Sequence, residues 1–275
     1  MMCGWKELLS VLPIWLRQEV DSLGQEGMQE LRLRLNSPPE LVTGKENRYL
    51  EKPVTRDDLN FCINAASRYS PWTAASMAQG YLTAPGGHRI GICGEGVCKD
   101  GIVTGIREVT SVCIRVARDF PGIGRVIRDL TGSVLILGAP GWGKTTLLRD
   151  MARQIAETES ISVVDERREL FPEGMARGRR MDVLTGCPKP SGIDMVLRTM
   201  GPGWIAVDEI TARDDCEALI QAANCGVRLL ATAHAGSSRD YRSRRIYAPL
   251  IEQHIFDTLV ILRPDKSYTV ERMYT

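Results

Sequence analysis

The sequence has no apolar segment long enough to cross a membrane. A spanning helix needs about 20 apolar residues in succession, whereas apolar runs such as Val134 to Leu137 and Leu259 to Leu262 hold only four residues each. We also expect no cleavable leader, because the first residues of the sequence contain no apolar run of that kind. We therefore expect a cytosolic protein that, if it works at a membrane, is recruited there.

Neither sign of charge is in excess. The 275 residues include 35 Lys and Arg against 34 Asp and Glu, for a formal net charge of +1. Proteins that bind nucleic acid through bulk electrostatic attraction carry a clear basic excess, so the composition argues against that class. The charged fraction of 25% and the hydrophobic fraction of 43% are those of a soluble globular protein.

The eight cysteines contain no C-x-x-C pair, the spacing typical of structural zinc sites and redox motifs. Cys93 and Cys98 are near each other in sequence but have no second ligand pair nearby, so no zinc site is predicted. We interpret the cysteines as reduced thiols.

The first part of the chain has the pattern of an α+β domain. Leucine and arginine alternate over residues 31–35, which indicates a half-buried strand. Thr55 and Asp58 have the spacing of a capping box at the start of a helix. Glycine-rich turns at 85–87 and 100–101 separate short β-prone runs, which predict hairpins with strands at 89–93, 102–106 and 111–116. We assign residues 1–118 to this smaller α+β domain.

After a turn-forming junction at 120–124, apolar runs alternate with helical patterns, which is typical of a doubly wound α/β domain. We assign residues 119–275 to it and expect a mainly parallel sheet. The predicted strands are 133–137, 161–164, 204–207, 229–232 and 258–262, and the predicted helices are 145–156, 193–200 and 214–224.

Residues 138–145 match the phosphate-binding loop pattern G-x-x-x-x-G-K-[ST], known as Walker A. A strand-like apolar run precedes them and an amphipathic helix follows, which is the context of a RecA-like P-loop domain. We expect Lys144 to bind the β- and γ-phosphates of a nucleotide and Thr145 to ligate Mg²⁺. The predicted phosphate-binding residues are Gly138, Ala139, Pro140, Gly141, Trp142, Gly143, Lys144, Thr145 and Thr146.

Acidic residues follow a second apolar strand pattern. Asp208 and Glu209 come directly after residues 204–207. A P-loop needs a carboxylate to hold its metal ion, and we predict that Asp208 binds Mg²⁺ through water. Glu209 is predicted to polarise the attacking water as a general base. A small-molecule kinase needs no such glutamate, so the pair favours hydrolysis.

Two further strand ends carry candidate site residues. Asp165 and Glu166 follow the strand predicted at 161–164, and Thr232 and His234 stand at the end of the strand predicted at 229–232. Ligands bind at the carboxyl edge of doubly wound sheets, so we expect Glu166 near the γ-phosphate. The sequence leaves open whether Glu166 or Glu209 is the principal base. His234 is predicted to sense that phosphate.

Taken in order along the chain, these motifs resemble the secretion ATPase superfamily, the hexameric motors of type II and type IV secretion and of pilus retraction. Within that superfamily the chain resembles the stage III sporulation protein AA family of endospore-forming bacteria. The segments that carry this closer resemblance span nearly the whole chain and lie at 30–34, 86–91, 111–118, 138–146, 164–167, 178–189, 198–200 and 232–235.

The resemblance implies an ATPase of the mother cell that serves a channel or secretion apparatus at the membranes between mother cell and forespore. It implies a homo-hexamer, ATP and Mg²⁺ as cofactors, membrane proteins of the apparatus as partners, and a cytoplasmic location at the inner face of the membrane. ATP is expected between the two domains of one subunit, with basic residues from the amino-terminal side or a neighbour completing the site. Arg115 and Arg118 are the candidates for γ-phosphate contacts.

Two alternatives stay open at this point. A P-loop ATPase that acts on nucleic acid would use the arginines Arg239, Arg242, Arg244 and Arg245, although the net charge disfavours it. A nucleotide-gated assembly scaffold would bind ATP and turn it over very slowly. The rate of ATP hydrolysis separates the scaffold from a motor.

Overall fold

The computed structural model of the chain describes residues 4–24, 28–43, 46–67, 80–172 and 175–274. The chain divides into two compact units. We call Met1–Asp119 with Pro172–Met175 the amino-terminal unit, and Phe120–Phe171 with Ala176–Thr275 the carboxyl-terminal unit. The sequence pattern did not indicate that a short later segment groups with the first unit.

An antiparallel sheet organises the amino-terminal unit. Its strands are β1 (Met28–Arg34), β2 (Glu40–Thr43), β3 (Asn47–Tyr49), β4 (Tyr81–Thr83), β5 (Arg89–Lys99) and β6 (Ile102–Arg115). Over the described residues they form six strands in the order β3-β2-β1-β6-β5-β4. The predicted alternation in β1 is confirmed, because Leu31 and Leu33 are fully buried while Arg34 is exposed. Alternate residues of a strand point to the same face, and here the leucines point into the core.

Helices complete this core. They are α1 (Trp5–Ser10), α2 (Ile14–Leu23) and α3 (Arg56–Ala66). The predicted capping box is confirmed: Thr55 Oγ1 accepts from the Asp58 N–H at 3.2 Å, and the Asp58 carboxylate accepts from the Thr55 N–H at 2.9 Å. Leu8, Leu16 and Leu59 from the three helices are fully buried in one cluster with the leucines of β1.

The hairpins of this unit differ in extent from the prediction. β5 and β6 form one long hairpin whose turn lies between Lys99 and Ile102. The runs 102–106 and 111–116, predicted as separate strands, belong largely to β6. Glu108 lies between them with φ +47°, and the register between the two strands shifts along the hairpin. This irregularity interrupts the period-two pattern without ending the strand.

A mainly parallel sheet organises the carboxyl-terminal unit. Its strands are β7 (Val134–Leu137), β8 (Ile161–Asp165), β9 (Met181–Thr185), β10 (Trp204–Val207), β11 (Arg228–Ala233), β12 (Thr258–Leu262) and β13 (Tyr268–Arg272). Within the described residues the seven strands have the order β13-β12-β7-β11-β10-β8-β9, and β13 alone is antiparallel to its neighbour. Each of the five predicted parallel strands is present.

Helices lie on both faces of this sheet, so the predicted doubly wound α/β fold is confirmed. The helices are α4 (Lys144–Ile155), α5 (Lys189–Met200), α6 (Arg213–Asn224), α7 (Ser238–Ser243) and α8 (Ala248–Glu252). Neighbouring residues of β7 belong to different cores. Leu135 shares a cluster with Leu219 of α6, whereas Ile136 shares another with Leu148 of α4.

Two strands of this sheet were not predicted. β9 and β13 are edge strands, and their residues are mostly half-buried or exposed. An edge strand needs no continuous apolar run, because only one side of it pairs with the sheet. Short patterns of this kind do not stand out from loops in the sequence.

The helices are short. In the part of the chain that the structure describes, the longest are α4, α5 and α6 with 12 residues each. None of these described helices combines the length and the apolar character that a membrane crossing requires.

Candidate nucleotide-binding and hydrolysis site

Four neighbouring parallel strands end at one edge of the sheet, and each is followed by a predicted site residue. The strands lie in the order β7-β11-β10-β8. β7 leads into Gly138, β11 into His234, β10 into Asp208, and β8 into Glu166. Loops at the carboxyl edge of such a sheet form a ligand-binding crevice, so the sheet brings these four motifs to a common edge.

The loop between β7 and α4 has the geometry of a phosphate cradle. Gly143 has φ +98°, a conformation that disfavours a side chain, and α4 begins immediately after it. The free N–H groups and the positive dipole at the start of α4 attract an anion. The predicted phosphate-binding residues Gly138, Ala139, Pro140, Gly141, Trp142, Gly143, Lys144, Thr145 and Thr146 form this loop and the first turn of α4.

The Lys144 side chain folds back over the loop. Its Nζ donates to the carbonyl oxygens of Gly138 at 2.9 Å and Ala139 at 3.3 Å. Burial lowers the pKa of Lys144, while the charges of Glu209 and Asp208 act in the opposite direction. An ammonium group with neutral acceptors in a partly desolvated site gains from phosphate oxygens, since charge-assisted hydrogen bonds are stronger.

Two hydroxyl groups hold the Asp208 carboxylate. Thr145 Oγ1 donates to Oδ2 at 3.1 Å, and Thr232 Oγ1 donates to Oδ1 at 2.9 Å. Mg²⁺ prefers oxygen ligands and is commonly held by one or two protein groups together with nucleotide phosphates. The Thr145 hydroxyl and the Asp208 carboxylate therefore fit such an ion.

Glu209 is held at both its backbone and its side chain. Its N–H donates to Thr232 Oγ1 at 2.9 Å and to Asp208 Oδ1 at 3.0 Å. Its carboxylate Oε1 lies 2.7 Å from His234 Nε2. Both side chains stay partly exposed, at 31% for Glu209 and 28% for His234. A carboxylate oriented in this way can reach a water molecule in the crevice and accept its proton.

The two acids that follow β8 have different environments. Asp165 is buried, and its carboxylate accepts from the N–H groups of Glu169, Leu170 and Phe171 at 2.8 to 3.0 Å. Burial raises the pKa of Asp165, although these three hydrogen bonds oppose that effect. Asp165 therefore shapes the loop. Glu166 lines a small cavity of about 20 Å³ together with Asp208 and Glu209.

A larger cavity of about 350 Å³ lies against the phosphate loop. Gly143 and Thr146 form part of its wall, and Lys266 Nζ donates to the carbonyl oxygen of Gly141 beside it. Its remaining lining is mostly apolar and aromatic: Phe120, Ile123, Trp142, Leu147, Leu262 and Tyr268. Such a lining suits a flat heteroaromatic group.

The two predicted arginines belong to the amino-terminal unit. Arg115 is exposed, and its Nε lies 3.2 Å from Glu30 Oε1. Arg118 donates from Nη2 to the carbonyl oxygen of Met28 at 2.7 Å. Their predicted contact with the γ-phosphate stays a prediction.

One residue of this region carried no signal of its role in the sequence. Lys189, at the start of α5, is buried and lies 2.8 Å from Glu166 Oε2. It follows a proline that opens a helix, and no local pattern distinguishes such a lysine from an exposed one. The pairing was accessible only from the three-dimensional structure.

Comparison with known proteins places the chain in a family. The family model described as sporulation stage III, protein AA matches residues 6–274. Stage III sporulation protein AA of Bacillus subtilis (strain 168) is 33% identical over 98% of this chain and 94% of its own length. The protein SEEDLING PLASTID DEVELOPMENT 1 of Arabidopsis thaliana is 30% identical over 67% of this chain and 26% of its own length.

Solved structures share the fold at low sequence identity. The ATPase DotB of Legionella pneumophila has a TM-score of 0.61 and 17% identity, with 95% of this chain and 80% of that chain covered. The pilus retraction motor PilT, solved with bound ADP, has a TM-score of 0.63 and 14% identity, with 98% and 82% covered. The fold of this chain, a smaller domain followed by a RecA-like domain, is therefore the fold of DotB and PilT.

Proposed function

The chain belongs to the sporulation stage III protein AA family, and from this premise we propose that it hydrolyses ATP to energise a channel- or secretion-like apparatus during endospore formation. The observation that carries the proposal is the cluster of Lys144, Thr145, Asp208, Glu209 and Thr232 at one edge of the parallel sheet. It combines a phosphate cradle, ligands for Mg²⁺ and an oriented carboxylate.

ATP is the proposed ligand of the phosphate loop. Lys144 exchanges its carbonyl partners for phosphate oxygens, and the start of α4 binds the same phosphates through its N–H groups. The cavity lined by Trp142 and Tyr268 receives the base. The pilus retraction motor that shares this fold was solved with bound ADP, which supports an adenine nucleotide.

Hydrolysis requires a base and a metal ion beside the γ-phosphate. Thr145 and Asp208 hold Mg²⁺, which neutralises charge on the phosphates when bound. Glu209 is the proposed principal base, because its backbone is tied to Thr232 and to Asp208, the metal ligand. His234 is proposed to orient the Glu209 carboxylate through their 2.7 Å contact and to sense the γ-phosphate.

The proposed working form is a homo-hexamer in the mother cell, held at the inner face of the membrane by membrane proteins of the apparatus. Arg115 and Arg118 are proposed to neutralise charge on the γ-phosphate from the same or a neighbouring subunit. The family membership and the secretion ATPase fold support this arrangement.

The alternative of nucleic acid as substrate gains no support from the arginines named for it. Arg239, Arg242, Arg244 and Arg245 are exposed, and Asp240 neutralises Arg244 through hydrogen bonds of 3.0 and 3.1 Å. Asp240 itself has a lowered pKa, chiefly because of the hydrogen bond from Arg244. Such a mixed cluster is a common solvated surface.

Replacing the proposed base tests the function. Glu209→Gln keeps the size and the backbone contacts of the side chain but removes its basicity. We expect ATP turnover to fall by about 100-fold or more, while the affinity for a fluorescent ATP analogue stays within about threefold of the wild type. The measurements are steady-state phosphate release and fluorescence titration.

Glu217→Gln on α6 is the matched control, because Glu217 is an exposed acid that pairs with Arg213 in the same helix. Its turnover should equal that of the wild type. If the wild type and Glu209→Gln bind nucleotide but have equal, near-zero turnover, the motor hypothesis is wrong. The nucleotide-gated scaffold is then the remaining hypothesis.

A further inference from the structure

A buried lysine joins two acidic loops at the edge of the parallel sheet. The Lys189 side chain is only 7% exposed. Its Nζ lies 2.8 Å from Glu166 Oε2 and 3.5 Å from Asp215 Oδ2. A charge of this kind is seldom buried unless it is paired. The two acidic partners therefore explain why Lys189 is buried, and Lys189 in turn holds the carboxylates of its partners in place.

Asp215 is itself fixed at the start of α6. Its Oδ2 accepts from the N–H groups of Thr211 at 2.9 Å and Ala212 at 3.1 Å. These residues follow Glu209 in the short loop between β10 and α6. Lys189 thus connects the loop that carries Glu166 to the loop that carries the proposed base.

Glu166 needs such an anchor. Its side chain is 37% exposed and lines the small cavity that Asp208 and Glu209 also line. The lining includes four carboxylates, since Asp165 joins these three, and two cations, Lys189 and Arg167. The carboxylates repel one another, and Lys189 is the cation that the structure pairs with Glu166. Without Lys189, the Glu166 carboxylate would turn toward solvent, where rotation about its side-chain bonds is free and water stabilises its charge.

We propose that Lys189 is a positioning residue, which holds the Glu166 carboxylate at the cavity beside Asp208 and Glu209 and couples it to the start of α6. The inference rests on the proposed function, since it assigns Glu166 a part in ATP turnover. Lys189 acts through Glu166 and does not bind phosphate. Two carboxylates already surround its ammonium group, and a phosphate contact would require breaking the pair with Glu166.

The test compares Lys189→Met, Glu166→Gln and the double variant in the full chain. Lys189→Met keeps the length of the side chain and removes its charge. We expect each single substitution to lower kcat about 10-fold and to leave KM and the Kd for a fluorescent ATP analogue within about threefold. The double variant should be no slower than the slower single variant, because both changes remove the same contribution.

Two outcomes of the comparison between the Lys189→Met, Glu166→Gln and double variants would overturn the proposal. A rise of 10-fold or more in the Kd for ATP, without a similar rise for ADP, in Lys189→Met would mean that the lysine binds the γ-phosphate. Multiplied losses of kcat in the double variant would mean that Lys189 and Glu166 act independently. Arg213→Met, which removes an exposed cation at the start of α6, is the matched control and should behave as wild type.

Should Lys189→Met not fold, Glu166→Gln carries the test alone, since this partly exposed side chain is expected to tolerate replacement. Its kcat at the wild-type level would then overturn the proposal. If the wild type does not hydrolyse ATP, the proposed function fails. The thermal unfolding midpoints of the variants then test whether Lys189 and Glu166 are paired. A midpoint loss in the double variant that equals the larger of the two single losses supports the pairing of Lys189 with Glu166. Additive losses overturn it.

Discussion

Charged residues on the antiparallel sheet of the amino-terminal unit and charged residues at the edge of the parallel sheet of the carboxyl-terminal unit have opposite environments. In the amino-terminal unit, charges pair along the antiparallel sheet. Glu30 lies 2.7 Å from Arg32 and 3.2 Å from Arg115, and the hydrogen bond from Arg32 is the main cause of the lowered pKa of Glu30. In the carboxyl-terminal unit, burial lowers the pKa of Lys144 and raises that of Asp165. Pairing favours the charged form of Glu30 on the antiparallel sheet, and burial opposes the charged forms of Lys144 and Asp165 at the parallel edge.

Strand direction explains the difference. Antiparallel strands end alternately at the two edges of a sheet, so no single edge collects side chains from all of them. Parallel strands end at one edge, where helix N-termini add positive dipoles. Groups with perturbed pKa values cluster at functional sites, and Lys144 and Asp165 adjoin the loops of the candidate site. The comparison therefore predicts that the catalytic carboxylates and the phosphate-binding lysine belong to the parallel edge, while the amino-terminal unit contributes at most the proposed arginine contacts.

The largest expected effect that would contradict this comparison comes from Arg115 and Arg118 of the amino-terminal unit. If the amino-terminal unit contributes to catalysis, the double substitution Arg115→Ala/Arg118→Ala removes positive charge from the γ-phosphate. We expect kcat to fall about 100-fold or more, measured as phosphate release by the assembled protein with its thermal midpoint recorded alongside.

Arg107→Ala serves as the control, because Arg107 is an exposed arginine of the same hairpin paired with Glu95. It should leave turnover unchanged. If the double variant keeps turnover within twofold of the wild type, the carboxyl-terminal unit performs the chemistry with its own residues and the comparison stands.

A second prediction sharpens the role of the sheet edge. Thr232→Val removes the hydroxyl that donates to Asp208 and accepts from the Glu209 N–H. We expect kcat to fall about 10-fold, which corresponds to the loss of a hydrogen bond to a charged group of about 1.5 kcal/mol. Thr232→Ser keeps the hydroxyl and should retain wild-type turnover. Similar kcat values for the two variants would show that the Thr232 hydroxyl does not contribute to turnover.

The smallest effect concerns His88, a buried group in the amino-terminal unit. Its Nδ1 accepts from the Ala117 N–H at 3.1 Å, so the ring is neutral and Nε2 donates to the Gly4 carbonyl at 2.8 Å. Burial lowers the pKa of His88, while the hydrogen bond to Gly4 and the charge of Glu7 act in the opposite direction. The unfolded chain therefore binds a proton below about pH 6.5 that the folded chain excludes.

Stability from this group is full above about pH 6.5 and is lost as the pH falls below that value. His88→Gln can keep both hydrogen bonds and does not titrate. Between pH 7 and pH 5 we expect the thermal midpoint of the wild type to fall about 2–4 °C further than that of His88→Gln. Parallel curves for the two proteins would show that His88 does not control this loss.

Local patterns predicted much of the fold. The loop before Lys144, the capping box at Thr55 and the five parallel strands depend on residues adjacent in sequence, and the structure contains each of them. The edge strands β9 and β13 were missed because half-exposed strands lack a strong apolar pattern. The interruption at Glu108 divided one strand into two in the prediction, since a bulge breaks the alternation.

By itself, the sequence determined the fold class and the position of the phosphate loop, because a strand, a glycine with positive φ and a helix start are local properties. Only the tertiary structure decided the partners at the sheet edge. Thr145 meets Asp208 across 63 residues, Thr232 meets Asp208 across 24, and Lys189 meets Glu166 across 23. These pairs form only once the order of the parallel strands is set, since strand order determines which loops are neighbours.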